Sequence, residues 1–169
     1  MYLTFGRTQL GNTQCGLDDF RQSLANYRDQ GNRVIVPGFL GALARLEAAA
    51  QNYERALALI DEALAMSQEG GDRLYDSNLH RLRGNILLKR DPADPAQAEE
   101  AFKISLAIAK QQGARTFELL ASLALANLCQ STGRLVEAHA VLAPALEGFS
   151  PTPEMPVIAK AQTLLGTLA

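Results

Sequence analysis

The sequence predicts an entirely helical fold built from stacked helix hairpins, and two observations support this prediction. A Gly-x-Arg triplet occurs three times, beginning at Gly31, Gly71 and Gly113, with spacings of 40 and 42 residues. A fixed period of this length is typical of a repeated supersecondary unit, because each copy exposes an apolar face that only a neighbouring copy can cover. The composition agrees, since only 6% of the 169 residues are aromatic and tryptophan is absent, which favours closely packed helices over a sheet.

The first hairpin is expected over about 1–31, where a short helix over 1–10 is followed by a second helix over 18–30. Apolar positions three and four residues apart, such as Phe20 and Leu24, predict that second helix. A stack of repeats normally opens with a capping element that has a polar outer face. Because apolar residues occur here almost from the first position, we expect the chain to be an excerpt of a longer protein.

The second hairpin is expected over about 34–71. Pro37 suits the first turn of its first helix, where a missing N–H loses no hydrogen bond. Asn52 is a candidate N-cap for its second helix, which should run over about 53–69. Gly71 ends that helix, because glycine readily adopts the conformation that closes a helix.

The third hairpin is expected over about 72–113. Asp72 is a candidate cap for its first helix. The break that begins at Pro92 must end this helix, because proline cannot continue the hydrogen-bond ladder. The second helix should begin at Pro95 and place Phe102 on its inward face.

The fourth hairpin is expected over about 115–148, with its turn at Gly133. Pro144 should kink its second helix or end it early. A proline-rich segment follows that is unsuited to a helix, and a single capping helix is then expected over about 157–168. The whole chain, 1–169, is interpreted as one repeat domain.

The second helices of the four hairpins share a pattern: a small residue, a large residue four positions later, and a small residue three positions after that. The aligned sets are Gly16, Ala56, Ala98 and Ala138; Phe20, Ile60, Phe102 and Leu142; and Ser23, Ala63, Ser105 and Ala145. We expect the small residues to let the two helices of a hairpin approach closely, while the large residue fills the space toward the next hairpin.

This pattern resembles the tetratricopeptide repeat, and the resemblance covers nearly the whole chain. It implies an all-α, right-handed superhelix of about four helix hairpins plus a C-terminal capping helix. The period is longer than the roughly 34 residues of that repeat. With this lengthened period, segments 69–88 and 98–128 are similar to the carboxy-terminal repeat regions of bacterial multidomain regulators of the cyclase, ATPase and LuxR types.

No catalytic or metal-binding arrangement is evident in the sequence. The glycines lack the Gly-Lys-Ser/Thr ending of a phosphate loop, and neither His80 nor His139 has a nucleophile at motif spacing. Cys15 and Cys129 lack the spacing of a zinc site. We therefore expect no enzymatic activity, no cofactor and no metal.

Charge and hydropathy narrow the expected partners and location. A net charge of −2, with acidic and basic residues interleaved, argues against nucleic acid as a direct partner. The sequence shows neither a signal-peptide pattern nor an apolar run of about 20 residues that would span a membrane. We therefore expect a cytoplasmic protein that does not bind membranes.

A candidate binding surface follows from the resemblance, because the first helices of tetratricopeptide hairpins line a groove in which Asn and Lys or Arg can hold a ligand's carboxylate. Asn85 and Asn127 directly follow the small residues of the third and fourth first helices, and Arg45 holds the same place in the second hairpin. Three further polar residues share that face: Asn78, Arg81 and Lys89. An ordinary polar lining is the alternative interpretation of these six residues.

These observations predict a non-catalytic protein–protein interaction module that binds a protein segment in its groove and is regulatory within a larger bacterial signalling protein. The alternative is a small-metabolite sensor that controls an attached ATPase, cyclase or transcription output domain. The identity of the partner and homo-oligomerisation are left open. Arg83 is unexpected, because the repeat normally has a buried aliphatic residue at that position.

Overall fold

A computed structural model of the chain describes residues 13–29, 34–152 and 155–168. These residues form helices and no strand, which confirms the prediction of an all-helical fold. The predicted helix over 1–10 and the break at Gly31 lie outside the described residues. The helices are α1 (Thr13–Asp29), α2 (Val36–Ala49), α3 (Tyr53–Gly70), α4 (Asp76–Arg90), α5 (Ala96–Gln111), α6 (Arg115–Ser131), α7 (Leu135–Leu146) and α8 (Pro156–Leu168).

The breaks predicted from glycine, proline and asparagine lie between helices. Asn52 and Pro92 each fall in the connection inside a hairpin. Gly71, Gly113 and Gly133 follow helix ends and have φ values of 73°, 64° and 76°. Glycine reaches this left-handed region without a Cβ clash, so these three positions can close a helix at little cost in free energy.

Two helices begin at positions that differ from the predicted ones. α1 begins at Thr13, five residues before the expected start. α4 begins at Asp76, so Asp72 does not cap it. Instead, the Asp72 carboxylate accepts a hydrogen bond from the backbone N–H of Leu74 at 3.2 Å. A short polar side chain that bonds the backbone two residues onward stabilises a turn ahead of the helix.

The predicted role of Asn52 also needs correction. Asn52 directly precedes α3, but its side chain accepts no hydrogen bond from the helix backbone. Its amide donates to the Glu47 carboxylate at 2.9 Å instead. α7 contains Pro144 in its last turn and ends at Leu146, and the proline lacks the N–H that would bond the carbonyl four residues earlier.

The helices pack in chain order as hairpins, with α2 against α3, α4 against α5 and α6 against α7. We call α2, α4, α6 and α8 the first helices, and α1, α3, α5 and α7 the second helices. Each first helix also contacts the next first helix, whereas α3, α5 and α7 do not contact one another. The layer of first helices is therefore packed more closely than the layer of second helices.

The small-large-small positions form the core where the hairpins meet. The large residues Phe20, Ile60, Phe102 and Leu142 are at most 1% exposed. The small residues Ala56, Ala63, Ala98, Ser105, Ala138 and Ala145 are equally buried, while Ser23 is half-buried. The side-chain surroundings of Gly16 lie outside the described residues. Burial of this set agrees with the alignment on which the repeat prediction rests.

In the triplets that begin at Gly71 and Gly113, the arginine neutralises a buried acid three residues later. The Arg73 Nε donates to the Asp76 carboxylate at 2.8 Å, and the Arg115 Nη1 donates to the Glu118 carboxylate at 2.7 Å. Both acids are buried near the start of a first helix, and a buried carboxylate without such a partner would be strongly destabilising. Arg115 also donates to the backbone carbonyl of Glu147 at 2.7 Å, which ties the two ends of its hairpin together.

Candidate functional site

The carboxylates of the first helices are all buried. α2, α4, α6 and α8, which are described in full, carry three acidic residues, Glu47, Asp76 and Glu118, with exposures of 0%, 1% and 8%. Each is paired with an arginine, and Glu47 receives Arg21 as well as Arg55, whose Nε lies 3.1 Å from it. These four helices therefore present no exposed negative charge.

The cations of the first helices have a different distribution. Arg45 on α2, Lys89 on α4 and Lys160 on α8 are exposed, and Arg81 on α4 is half-buried. Lys89 and Lys160 form no ion pair with the described residues. We call the surface that α2, α4, α6 and α8 form, on the side that carries these four cations, the inner surface. It is electropositive because its cations are accessible while the acids of the same helices are buried and neutralised.

A cleft of about 270 Å³ opens on the inner surface between α2 and α4. It brings together four of the six predicted site residues, namely Arg45, Arg81, Asn85 and Lys89. The remaining lining is apolar and comprises Ala48, Leu82 and Ile86. Three cationic side chains and one amide thus meet over an apolar floor, with no carboxylate among the lining residues.

Arg81 has the most constrained environment in this cleft. Its Nη2 donates to the Asn78 side-chain oxygen at 2.7 Å, so Asn78 positions the guanidinium from the turn before. Its Nε is buried and has no hydrogen-bond partner. Burial, and then the positive charge of Arg45, lower the pKa of Arg81.

An anionic acceptor in the cleft would relieve both of these unfavourable features. A buried N–H without a partner costs about 1–3 kcal/mol, and two guanidinium groups in one cleft repel each other. A carboxylate placed between Arg45 and Arg81 would accept from the N–H groups and reduce that repulsion. The cleft is therefore chemically suited to a carboxylate-bearing ligand.

The sixth predicted residue, Asn127, lies apart from the other five. It lines a separate cleft of about 530 Å³ between α6 and α8, together with Gln130, Lys160 and Thr163. Its side-chain N–H donates to the carbonyl of Leu123 at 2.7 Å, which leaves its side-chain oxygen to accept from a ligand. Both clefts are on the inner surface, because both lie between successive first helices.

Lys160 is a candidate site residue that sequence reasoning missed. From its sequence, the last helix is predicted only as a cap. In the structure α8 packs against α6 and so continues the row of first helices formed by α2, α4 and α6.

No cluster of three or more His, Cys, Asp or Glu residues suited to a metal ion occurs among the residues that the structure describes. Across the same residues, none of the helices combines the length and apolar character needed to cross a bilayer.

Comparisons with known proteins do not identify a relative. No family model matches the sequence, and no curated protein matches it. The tetratricopeptide resemblance and the six site residues therefore remain predictions.

Proposed function

We propose that this chain is a non-catalytic interaction module of the tetratricopeptide type that binds an extended, acidic protein segment along its inner surface. The observation that carries the proposal is the charge distribution of the first helices, which bury Glu47, Asp76 and Glu118 and leave Arg45, Arg81, Lys89 and Lys160 accessible. Solvated helix faces usually carry both signs of charge. A surface of one sign attracts a ligand of the other sign.

Two features of the packing support a tetratricopeptide superhelix, for which the resemblance implies a right-handed twist. The small-large-small positions are buried where the hairpins meet, as the repeat requires. The first helices contact one another while α3, α5 and α7 do not, so the stack should curve toward the first helices and make the inner surface concave. A concave surface of this kind is the usual binding face of stacked helical repeats.

The form of the ligand follows from the positions of the clefts. One cationic cleft lies between α2 and α4, and a second cleft with Lys160 lies between α6 and α8. A ligand that occupies both must be extended and must carry acidic groups at more than one point. Arginine can hold a carboxylate through two parallel N–H donors, so Arg45 and Arg81 are the expected anchors.

The proposed setting is a regulatory role within a larger bacterial signalling protein in the cytoplasm. It rests on the resemblance of segments 69–88 and 98–128 to the repeat regions of multidomain regulators. Binding of the acidic segment would then be transmitted to a neighbouring output domain. No cofactor takes part in this proposal, because the clefts provide side-chain donors that are sufficient for a peptide.

Fluorescence anisotropy with a labelled acidic peptide tests this function. The peptide should bind more tightly than its neutral amide analogue, and its affinity should fall as salt rises. Arg81→Ala should weaken binding about tenfold or more, since hydrogen bonds to charged groups contribute roughly 1.5–3 kcal/mol. Lys110→Ala, which removes an exposed charge from the second helix α5, is the matched control and should not change affinity. Equal binding by wild type and Arg81→Ala would contradict the proposal.

A further inference from the structure

A third cleft, also polar, lies on the opposite side of α4, between the second helices α3 and α5. It has a volume of about 350 Å³, and α4 forms its floor. We call it the outer cleft. Its lining comprises Leu57 and Asp61 of α3, His80, Arg83, Leu87 and Arg90 of α4, and Gln97, Glu100, Ala101 and Ile104 of α5.

At one position in the floor of the outer cleft, the residue differs in chemical type from its counterparts in the neighbouring hairpins. Arg83 aligns with Leu43 in the preceding hairpin and with Leu125 in the following one. Those two leucines are 3% and 4% exposed, and each belongs to a core cluster. A cation therefore replaces a core leucine in this hairpin alone among the three. Stacking of the hairpins does not require this arginine, since the neighbouring copies stack with leucine.

His80 provides a second, independent feature of the outer cleft. It stands one helical turn before Arg83 on the same face of α4, and its Nδ1 is buried without a hydrogen-bond partner. Buried polar atoms are almost always hydrogen-bonded to protein or to another group. His80 lines the cleft and has a hydrogen-bonding capacity that the described residues leave unused, which a ligand that reaches the ring can fill.

The outer cleft contains both acidic and basic side chains, and a ligand can displace the present ion-pair partners of its arginines. Arg83 is paired with Asp61, and Arg90 Nη1 lies 3.2 Å from Glu54. These carboxylates are 64% and 84% exposed, and ion pairs with such exposed groups contribute little stability, so a ligand can replace them. Glu100, on the α5 wall, forms no hydrogen bond or ion pair with the described residues.

The charges of the lining side chains balance, and this sets the class of the ligand. Asp61 and Glu100 offset Arg83 and Arg90, and burial lowers the pKa of His80, which favours its neutral form. A ligand with a net charge would leave one of these groups unmatched. A ligand with one positive and one negative group matches both signs.

We propose that the outer cleft binds a small zwitterionic ligand of the α-amino-acid class with an aliphatic side chain. Arg83 and Arg90 hold its carboxylate, Glu100 holds its ammonium group, and the His80 Nδ1 completes a hydrogen bond. Leu57, Leu87 and Ile104 cover its aliphatic part. This site is independent of the acidic-segment function, because it lies on the other face of α4 and shares no residue with the inner clefts.

Isothermal titration calorimetry with L-leucine and two single-charge analogues tests this chemistry. The analogues are isocaproate, which lacks the ammonium group, and isopentylamine, which lacks the carboxylate. L-Leucine should bind the wild-type chain, and each analogue should bind about tenfold more weakly or worse, because each loses a charge-assisted hydrogen bond. Absence of L-leucine binding at millimolar concentrations, or equal binding of isocaproate, would overturn the proposal.

Arg83→Leu tests the location of the site. Leucine occupies the equivalent position in both neighbouring hairpins, so this variant should keep the helical circular dichroism spectrum while losing L-leucine binding by about tenfold or more. Lys110→Leu, at an exposed position of α5 outside the cleft lining, is the matched control and should bind L-leucine like the wild type. Unchanged binding by Arg83→Leu would place the ligand elsewhere and refute this assignment.

The two histidines of the chain provide a direct readout. His80 lines the outer cleft, whereas His139 is exposed on α7. L-Leucine should shift the ring NMR signals of His80 and leave those of His139 in place, and His80→Ser assigns the signals by loss. A shift confined to His139 would contradict the site.

Discussion

Gly84→Ala should destabilise the protein even though alanine is the better helix former. Gly84 lies on α4 against the ring of Phe102 on α5. A Cβ at this position would come within 2.6 Å of the Phe102 Cδ1 and within 3.0 Å of the Ala98 carbonyl oxygen. Because the carbonyl belongs to the backbone and Phe102 is 1% exposed, neither neighbour can move away freely.

The size of the effect follows from two opposing terms. Overpacking of a core typically costs about 1–3 kcal/mol, and replacing glycine by alanine inside a helix returns up to about 1 kcal/mol. We expect a net loss of about 1–2 kcal/mol in the free energy of unfolding. The neighbouring hairpins show the compensating arrangement, since Ala44 and Ala126 hold the equivalent position where the large residue is Ile60 or Leu142.

A double-mutant cycle with Phe102→Leu is therefore the sharper assay, with equilibrium urea unfolding followed by circular dichroism. Leucine leaves room for the alanine side chain, so the double variant should be more stable than the sum of the two single changes predicts. The coupling should be about 1 kcal/mol or more, as for residues in direct contact. A neutral Gly84→Ala variant, or a coupling near zero, would show that the ring does not fix the spacing of α4 and α5.

Three further predictions concern the core and the titratable groups. Phe102→Ala should lower the free energy of unfolding by roughly 3–5 kcal/mol, because it empties a fully buried site, and a change below about 1 kcal/mol in denaturant unfolding would mean that the motif alignment is wrong. Arg134, with a smaller contribution from Lys103, lowers the pKa of Glu99 from 4.5 to about 2. The free energy of unfolding should therefore decrease as the pH falls from about 4.5 to about 2. In urea titrations, the Glu99→Gln variant should not show this decrease. Burial lowers the pKa of His80 below 6.5, so stability should also fall as the pH drops below that value. His80→Ser should flatten this part of the pH profile in urea titrations, and an unchanged profile would contradict this cause.

The helices were predictable because each has a local signal in the sequence. Glycines close helices through their own left-handed conformation, and Pro92 ends one through its missing N–H, so neither signal depends on distant residues. The starts of helices were less predictable. Asp72 has the chemistry of a cap but bonds the backbone N–H of Leu74, and the sequence does not determine which of several nearby N–H groups a short acid will reach.

The candidate site was predictable in part. The spacing of Arg45, Arg81, Asn85 and Lys89 placed them on one face, and the structure gathers them in one cleft. The burial of the three acids was not predicted, because the sequence alone does not show whether an acidic residue is exposed or buried. The repeated signal was present nevertheless, since Arg73 with Asp76 and Arg115 with Glu118 recur 42 residues apart with the same spacing.

The side-chain N–H of Arg81 tests the central claim most directly. In the structure this Nε is buried and unpartnered beside Arg45, and the account requires the carboxylate of an acidic segment to accept from the guanidinium there. NMR observation of arginine Nε–H signals during titration with an acidic peptide should show the Arg81 signal shifting and its exchange with water slowing, with no change for the neutral amide analogue. If the peptide binds while the Arg81 signal stays unchanged, or if both peptides shift it equally, the inner cleft is not the site of carboxylate recognition.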